Sequence, residues 1–530
     1  MSTSTSWVNG ATLYQVYPRS FADTNNDGVG DLKGVLSKLD YIKSLGVDGV
    51  WLSPFFTSPM RDFGYDVADY CNVDPLFGTL AAFDALVIAA HDHGLKLMID
   101  QVYSHTSDQH SWFRESRHNT ENSKSDWYVW ADPKPDGSPP NNWLSVFGGP
   151  AWSWDASRRQ YYLHNFLSEQ PDLNFHQADV QDAILKVARF WLDRGVDGFR
   201  LDVINYCFHD AELRNNPPSA HAHGSRPYFY QRHIYNRSRP EALTFAARLR
   251  ALTANYSDRA LLGEVFSDAP LERARDYCAG DDRLHTAYSF HFLNAPRLDA
   301  ALIQEAVEAS AESSLTWSFS NHDVPRAVTR WGAQFDRATQ NSFAKLLIAL
   351  LTAMRGAIIF YQGDELGLPQ AELNFEDLQD PEAKRFWPET LGRDGARTPF
   401  PWRRDDPNAG FSGSKPWLPV DRRHTAMAAD TQENDTASVL SFARQAIANR
   451  QKNPRLRAGG IRVAHQSETI ISIERTNAAG ATRCIFNLGE TAQDISALAI
   501  GRRTFAHHCE EKDGSVALKA FGVAFFDDDH

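Results

Sequence analysis

Twice along the chain the same four residues, Gly-Val-Asp-Gly, close an amphipathic stretch and lead into an apolar run. Gly46-Val47-Asp48-Gly49 precedes Val50-Trp51-Leu52, and Gly195-Val196-Asp197-Gly198 precedes Phe199-Arg200-Leu201. Before the second, Ile184, Val187, Ala188, Trp191 and Leu192 recur at helical spacing and make one apolar face. A helix, a glycine-bounded turn and a buried strand together form one unit of an α/β fold. The unit recurs. A helix around 83–90 leads to a strand at 95–99, and a helix around 242–251 leads to a strand at 261–265. Runs at 315–320 and 357–361 continue the series that begins at 13–17, so most of the eight strands of a barrel are found.

Order alone also permits an open, doubly wound sheet. The polar residues decide between the two. Asp100 and His105, Arg200 and Asp202, Glu264, and Asn321-His322-Asp323 all fall at or just past strand ends. A closed barrel gathers the C-terminal ends of its strands around one axis, whereas an open sheet spreads them along a line. The expectation is a (β/α)8 barrel over 1–104 and 172–455. Residues 105–171, rich in Trp, Gly and Pro and without helical period, read as a small domain inserted after the third strand. The irregular stretch 369–417 is a candidate lid or site wall. From 456 to 530 short alternating runs predict an antiparallel β-sandwich.

Among the carboxylates, Asp202 ends a strand and Arg200 lies two residues earlier, so both side chains point to the same side. A nearby cation keeps a carboxylate ionised, which suits a nucleophile. Glu264 ends the next strand found and can reach the same pocket, and Asp323 offers a third acid. Taken singly, each reads equally well as a structural ion pair. Together they suit double displacement, in which one carboxylate attacks and another about 5–5.5 Å away donates a proton.

These residues lie in motifs that resemble glycoside hydrolase family 13, the α-amylase superfamily, and most closely its α-glucosidase and oligo-1,6-glucosidase branch. The likeness runs from about residue 11 to 455. In order, the motifs are Tyr14-Gln15-Val16-Tyr17-Pro18-Arg19-Ser20-Phe21, Asp62-Phe63-Gly64-Tyr65-Asp66-Val67, and Asp100 through His105-Thr106-Ser107. Then come Gln170-Pro171-Asp172-Leu173-Asn174, the stretch 198–205, Glu264, Asn321-His322-Asp323 and Arg393-Asp394-Gly395-Ala396-Arg397-Thr398-Pro399.

The resemblance implies an exo-acting, retaining α-glucosidase that releases glucose from short α-glucosides through a covalent intermediate, with transfer to other acceptors open to it. It makes Asp202 the nucleophile, Glu264 the acid/base and Asp323 a transition-state stabiliser. His105 and His322 would hydrogen-bond the same glucose, and Arg200 would orient Asp202. Asp62 and an arginine, Arg393 in preference to Arg397, would cap the non-reducing end. Tyr65 would stack on the sugar and Phe166 would form a hydrophobic wall. Linkage preference stays open. Val203 matches enzymes that cut α-1,6 bonds, while the Pro- and His-rich loop 214–227 resembles α-1,4-acting ones. Val-Pro-Arg-Ala-Val-Thr-Arg after Asp323 is as in simple glucosidases, which speaks against a sucrose isomerase.

Asp23, Asn25, Asp27, the Val29 carbonyl and Asp31 alternate oxygen donors as in the start of an EF-hand loop, with Gly28 at its turn. The twelfth-position Glu is missing, since Gly34 stands there. The family resemblance implies one structural Ca2+ or Mg2+ here and no organic cofactor; an Asx-rich turn without an ion is the alternative. A second calcium site is not expected, because Ser104 replaces the Asn commonly found before the first His.

A formal charge of −13 argues against nucleic-acid and anionic-membrane partners. The best apolar run, 345–355, is far short of the ~20 residues of a membrane helix. A non-catalytic, transporter-associated relative would carry such a helix and lack the acids retained here. Cys71, Cys207, Cys278, Cys484 and Cys509 are odd in number and widely spaced, and residues 1–10 have no signal-like core, so a cytoplasmic location with free thiols is expected. The expected partners are small α-glucosides, with the chain a monomer or homodimer.

Overall fold

The computed structural model describes residues 6–220 and 226–529. Eight parallel strands close into a barrel: β1 (Thr12–Val16), β2 (Gly49–Leu52), β3 (Lys96–Val102), β4 (Gly198–Asp202), β5 (Ala260–Val265), β6 (Thr286–Ser289), β7 (Leu315–Ser318) and β8 (Ala357–Tyr361). Neighbours pair in sequence order, and β1 closes the ring against β8 with Thr12 opposite Ile358. The strand missing from the sequence reading is β6.

The echoed Gly-Val-Asp-Gly turns do the same work in both places. Gly46 and Gly195 take φ of +83° and +92°, left-handed values that glycine adopts freely as a helix ends. The aspartate then stitches on a neighbouring strand: Asp48 accepts the Thr12 N–H at 2.8 Å and Asp197 the Leu97 N–H at 2.9 Å. The last glycine opens the next strand where chains crowd. A Cβ at Gly198 would stand 2.6 Å from the Ala260 carbonyl oxygen. The helix Ala178–Asp193 buries the expected apolar face with Val180 added, and the Trp191 indole N–H donates to the Tyr70 carbonyl at 2.8 Å.

Between β3 and that helix, strands at Trp130–Ala131, Gln160–Leu163 and Trp152–Asp155 make a three-stranded sheet. Its own small core includes Val129, Trp143, Trp152 and Leu163. Isolated bridges His105–Asp172 and Tyr128–Leu173 close the base of the insertion on the barrel rim. The stretch after β8 contains no strand. Its short helix Pro381–Phe386 lies against the insertion, where a Cβ on Gly148 would meet the Phe386 ring at 2.6 Å.

The C-terminal strands are β9 (Gly460–Gln466), β10 (Ile470–Asn477), β11 (Gly480–Asn487), β12 (Gln493–Asp494), β13 (Arg502–Lys512) and β14 (Ser515–Asp529). They are antiparallel as expected, but form one six-stranded hydrogen-bonded network instead of two separate sheets, because β14 is long enough to pair with β11, β12 and β13. One face, with Ile471, Ile473, Phe486 and Phe525, joins the main core against the barrel. Buried Arg450 and Arg475 cement the junction by donating to the Thr352, Ala353 and Met354 carbonyls that end the helix Arg337–Ala353. All five cysteines are unpaired. No described helix is long and apolar enough to cross a membrane.

Candidate active site

The centre of the barrel mouth is built around Arg200. Arg200 and Asp202 sit two residues apart on β4 and so face inward together. The guanidinium is fully buried. It donates to Asp202 Oδ1 at 2.6 Å and Asp100 Oδ1 at 2.8 Å, and lies 2.5 Å from Glu264 Oε1. Tyr288 on β6 completes the cluster: its hydroxyl takes Arg200 Nη2 at 2.6 Å and donates to Glu264 Oε1 at 2.6 Å.

Three buried carboxylates share one guanidinium, so burial and mutual repulsion oppose full ionisation of the cluster. Burial pushes Asp100 up to about 6 against the pull of Arg200. Burial also raises Asp202 well above the carboxylate range. Arg200 opposes that rise, and Glu264 and Asp100 add to it.

Asp323, just beyond β7, has a different setting. Arg397 donates to its Oδ1 at 2.7 Å, Arg393 stands at 3.6 Å, and His322 Nε2 lies 3.2 Å from Oδ2. Burial alone would raise Asp323, but these three groups outweigh it and hold the acid well below the ordinary carboxylate range. Burial pushes His322 down to about 3, so its ring is neutral. Gln15 donates to its Nδ1 at 2.8 Å, which places the proton on Nε2, facing the Tyr65 hydroxyl at 2.5 Å. Tyr65 in turn donates to Asp100 Oδ2 at 3.1 Å and stacks on His322 with planes 6° apart.

One end of the pocket is closed by charge. Asp62 Oδ1 takes Arg393 Nη2 at 2.7 Å, and its Oδ2 takes Gln170 Nε2 at 3.1 Å. Arg393 is itself gripped by Asp380 through Nε at 3.1 Å and Nη2 at 2.8 Å. His105, pushed down to about 4 by burial, lies alongside with its Nε2 3.1 Å from the Tyr65 carbonyl. The Phe166 ring packs 5.1 Å from the His105 ring. The pocket is also lined by the aromatic rings of Tyr228, Phe229, Phe266 and Phe290 and by an Arg226–Glu382 ion pair of 2.7 Å.

Together these groups enclose about 560 Å³. Asp62, Tyr65, His105, Phe166, Asp202, Glu264, Asp323 and Arg393 line that space. Arg200, His322 and Arg397, also expected at the sugar, are fully buried one layer behind the wall and act on the residues that line it. Tyr288, Gln170, Asp380 and the Arg226–Glu382 pair were not singled out from sequence. Gln170 stands in a quoted motif, but Tyr288 lies on the strand that was missed. Of the loop 214–227, residues 221–225 fall outside the described residues.

Val203 directly follows Asp202 and takes φ +30° and ψ +49°, a left-handed conformation that a β-branched residue rarely adopts. That turn aims its N–H at Glu264 Oε2, 3.2 Å away.

The oxygen-rich loop after β1 does not line this pocket and is internally bonded. Asp23 accepts N–H groups from Asn26 at 2.7 Å and Gly28 at 2.8 Å, and Asn25 accepts that of Asp27 at 3.0 Å. Asp27 accepts the Val29 N–H at 2.8 Å, and Asp31 caps the helix Leu32–Ser37 through the Gly34 N–H. No group of three or more His, Cys, Asp or Glu side chains converges on a metal position among the described residues. The all-oxygen donor set nonetheless suits a hard cation: Asp23 Oδ2 and both oxygens of Asp27 accept one donor each and keep a lone pair to offer, whereas Asp23 Oδ1 and both oxygens of Asp31 already have two donors each.

Comparison with known proteins supports the same lineage. The family model described as alpha amylase, catalytic domain, matches residues 15–459. A probable alpha-glucosidase of Rhizobium meliloti (strain 1021) is 51% identical over 499 residues, covering 92% of this chain and 90% of its own. An oligo-1,6-glucosidase of Heyndrickxia coagulans is 37% identical over 464 residues, covering 79% of this chain and 81% of its own. The crystal structure of an alpha-glucosyl transfer enzyme matches with a TM-score of 0.94 at 50% identity, over 98% of this chain and 99% of that one. A closed parallel barrel with a trio of acids at its mouth and a family match along most of its length leave one assignment: the chain belongs to the α-amylase family, glycoside hydrolase family 13.

Proposed function

We propose that the protein is an exo-acting, retaining α-glucosidase that takes single glucose units from the non-reducing end of short α-glucosides. The observation that carries this is the sharing of Arg200, whose terminal nitrogens stand 2.6 Å from Asp202 and 2.5 Å from Glu264. Two acids on one guanidinium are close neighbours, in keeping with the roughly 5–5.5 Å spacing of double displacement.

Asp202 attacks the anomeric carbon while Glu264 gives its proton to the departing glycosidic oxygen, which leaves as the alcohol. Glu264, now a carboxylate, draws a proton from water, and the resulting hydroxide equivalent releases glucose from Asp202. Asp323, kept ionised by Arg397, stabilises positive charge as the ring flattens. Neutral His105 and His322 hold Tyr65 through its carbonyl and its hydroxyl and bring no competing cation to the pocket.

Asp62, Arg393 and Gln170 are bonded across one side of the pocket, which supports a cap that stops the donor site at one terminal glucose. Tyr65 and Phe166 supply the apolar surface for the sugar ring.

The same covalent intermediate serves transfer when another hydroxyl outcompetes water. The 50% identity with an alpha-glucosyl transfer enzyme favours that second outcome as a companion activity. Val203, Arg226, Tyr228 and Phe229 line the same pocket, which supports a joint role for them in linkage preference. We also assign the loop 23–31 a structural Ca2+ or Mg2+, held by Asp23, Asn25, Asp27, the Val29 carbonyl and Asp31. The ion would fasten the loop and take no part in the chemistry.

Proton NMR of maltotriose digestion tests the reading. The first sugar formed should be α-glucose cut from the unlabelled end of a reducing-end-labelled substrate. First-formed β-glucose, or internal cleavage, overturns it. Maltose and isomaltose run side by side then report the linkage preference.

A further inference from the structure

We propose that Tyr288 is the positioning residue of the acid/base: with Arg200 it occupies Glu264 Oε1, so that the transferable proton resides on Oε2. The proposal rests on the acid/base role of Glu264 given above.

Donor and acceptor capacity carries the argument. Arg200 only donates. The Tyr288 hydroxyl receives Arg200 Nη2 at 2.6 Å and Nε at 3.2 Å, so its single hydrogen is free to point at Glu264 Oε1, 2.6 Å away. Oε1 already has Arg200 Nη2 at 2.5 Å. Tyr288 takes one of the Oε1 lone pairs, and a proton on the other would stand against the Arg200 cation, so the proton is disfavoured on Oε1. Oε2 receives a single N–H, that of Val203 at 3.2 Å, and keeps a lone pair for the acidic hydrogen.

The charged and titratable groups that face Glu264 are Arg200 and Asp202 from β4, Asp100 from β3 and Tyr288 from β6. Tyr288 is 1% exposed and does not line the cavity, so it reaches the substrate only through Glu264 and Arg200. After the proton leaves, the same hydroxyl stabilises the carboxylate that must next act as base. The left-handed turn at Val203 serves the same end from the other oxygen.

The test is the pH profile of Tyr288→Phe. Loss of a donor to the charged form of Glu264 should move the alkaline limb of kcat/KM up by about one pH unit. The freed Oε1 also lets the proton sit on the wrong oxygen, so kcat should fall about tenfold while KM stays within twofold. Site-specific 3-fluorotyrosine at 288 keeps the shape and makes a stronger donor, so the limb should move down; it also decides the matter if Tyr288→Phe does not fold. An unmoved limb in folded variants, with the limb abolished in Glu264→Gln, overturns the role of Tyr288 and leaves the acid/base assignment standing. A limb that persists in Glu264→Gln overturns both.

Discussion

Replacing Asp62 by Asn removes one negative charge from the closed end of the pocket and leaves the rest almost intact. Arg393 keeps its two side-chain hydrogen bonds to Asp380 at 3.1 and 2.8 Å, so no buried cation is orphaned. The turn also keeps its anchor, because the backbone N–H of Asp62, not its side chain, donates to Asp66 at 3.0 Å. The melting temperature should therefore stay within a few degrees of wild type. Activity should suffer more. A carboxylate accepting from a sugar hydroxyl makes a charge-assisted hydrogen bond of about 1.5–3 kcal/mol, or roughly 10- to 150-fold in kcat/KM. The assay compares maltose with an analogue lacking the 4-hydroxyl of its non-reducing glucose. Wild type should favour maltose strongly, and Asp62→Asn should nearly erase that preference, since the hydroxyl loses its partner. A loss under threefold, or an equal loss on both substrates, would refute the end-capping role.

Glu264→Gln should slow substrates with poor leaving groups by roughly 10²-fold or more, with azide restoring part of the rate on activated aryl glucosides; equal effects on both substrate types would contradict the acid role. Buried Glu365, which accepts from the Tyr14 and Tyr41 hydroxyls, is raised by burial from 4.5 to about 7. Its folded pKa exceeds its unfolded one, so its stabilising share is full below about 4.5 and is lost as pH rises through about 7. Glu365→Gln should flatten the decline of melting temperature between those values, and an unchanged slope would count against it. Chelation should lower the melting temperature more than kcat, and an unchanged melting temperature would remove the metal from the loop 23–31.

The barrel was readable because each unit announces itself locally. In Gly195-Val196-Asp197-Gly198 the helix end, the stitching aspartate and the strand start are consecutive residues. Strand β6 has no such signature: Thr-Ala-Tyr-Ser is four residues long, carries little apolar character and follows an acidic loop. With it went Tyr288, whose importance comes from register across β5, where Glu264 stands opposite it. Asp62 and Arg393 were found through their motifs, yet their bond joins positions 331 residues apart, a pairing no local pattern encodes. The same holds for the burial of Arg200, His322 and Arg397. Sequence places them at the site, and only packing shows that Tyr65, Asp202 and Asp323 stand between them and the cavity. The single C-terminal sheet was missed because strand period reports which face is buried, not which strands share hydrogen bonds.

The central claim is that Asp202 bonds covalently to glucose. Incubation with 5-fluoro-α-glucosyl fluoride, which forms the intermediate quickly and releases it slowly, followed by proteolysis and mass spectrometry, reads this directly. The account predicts one fluoroglucosyl adduct per chain, on the peptide carrying Asp202 and absent from Asp202→Asn. An adduct on Glu264, on Asp323 or on no residue would contradict it.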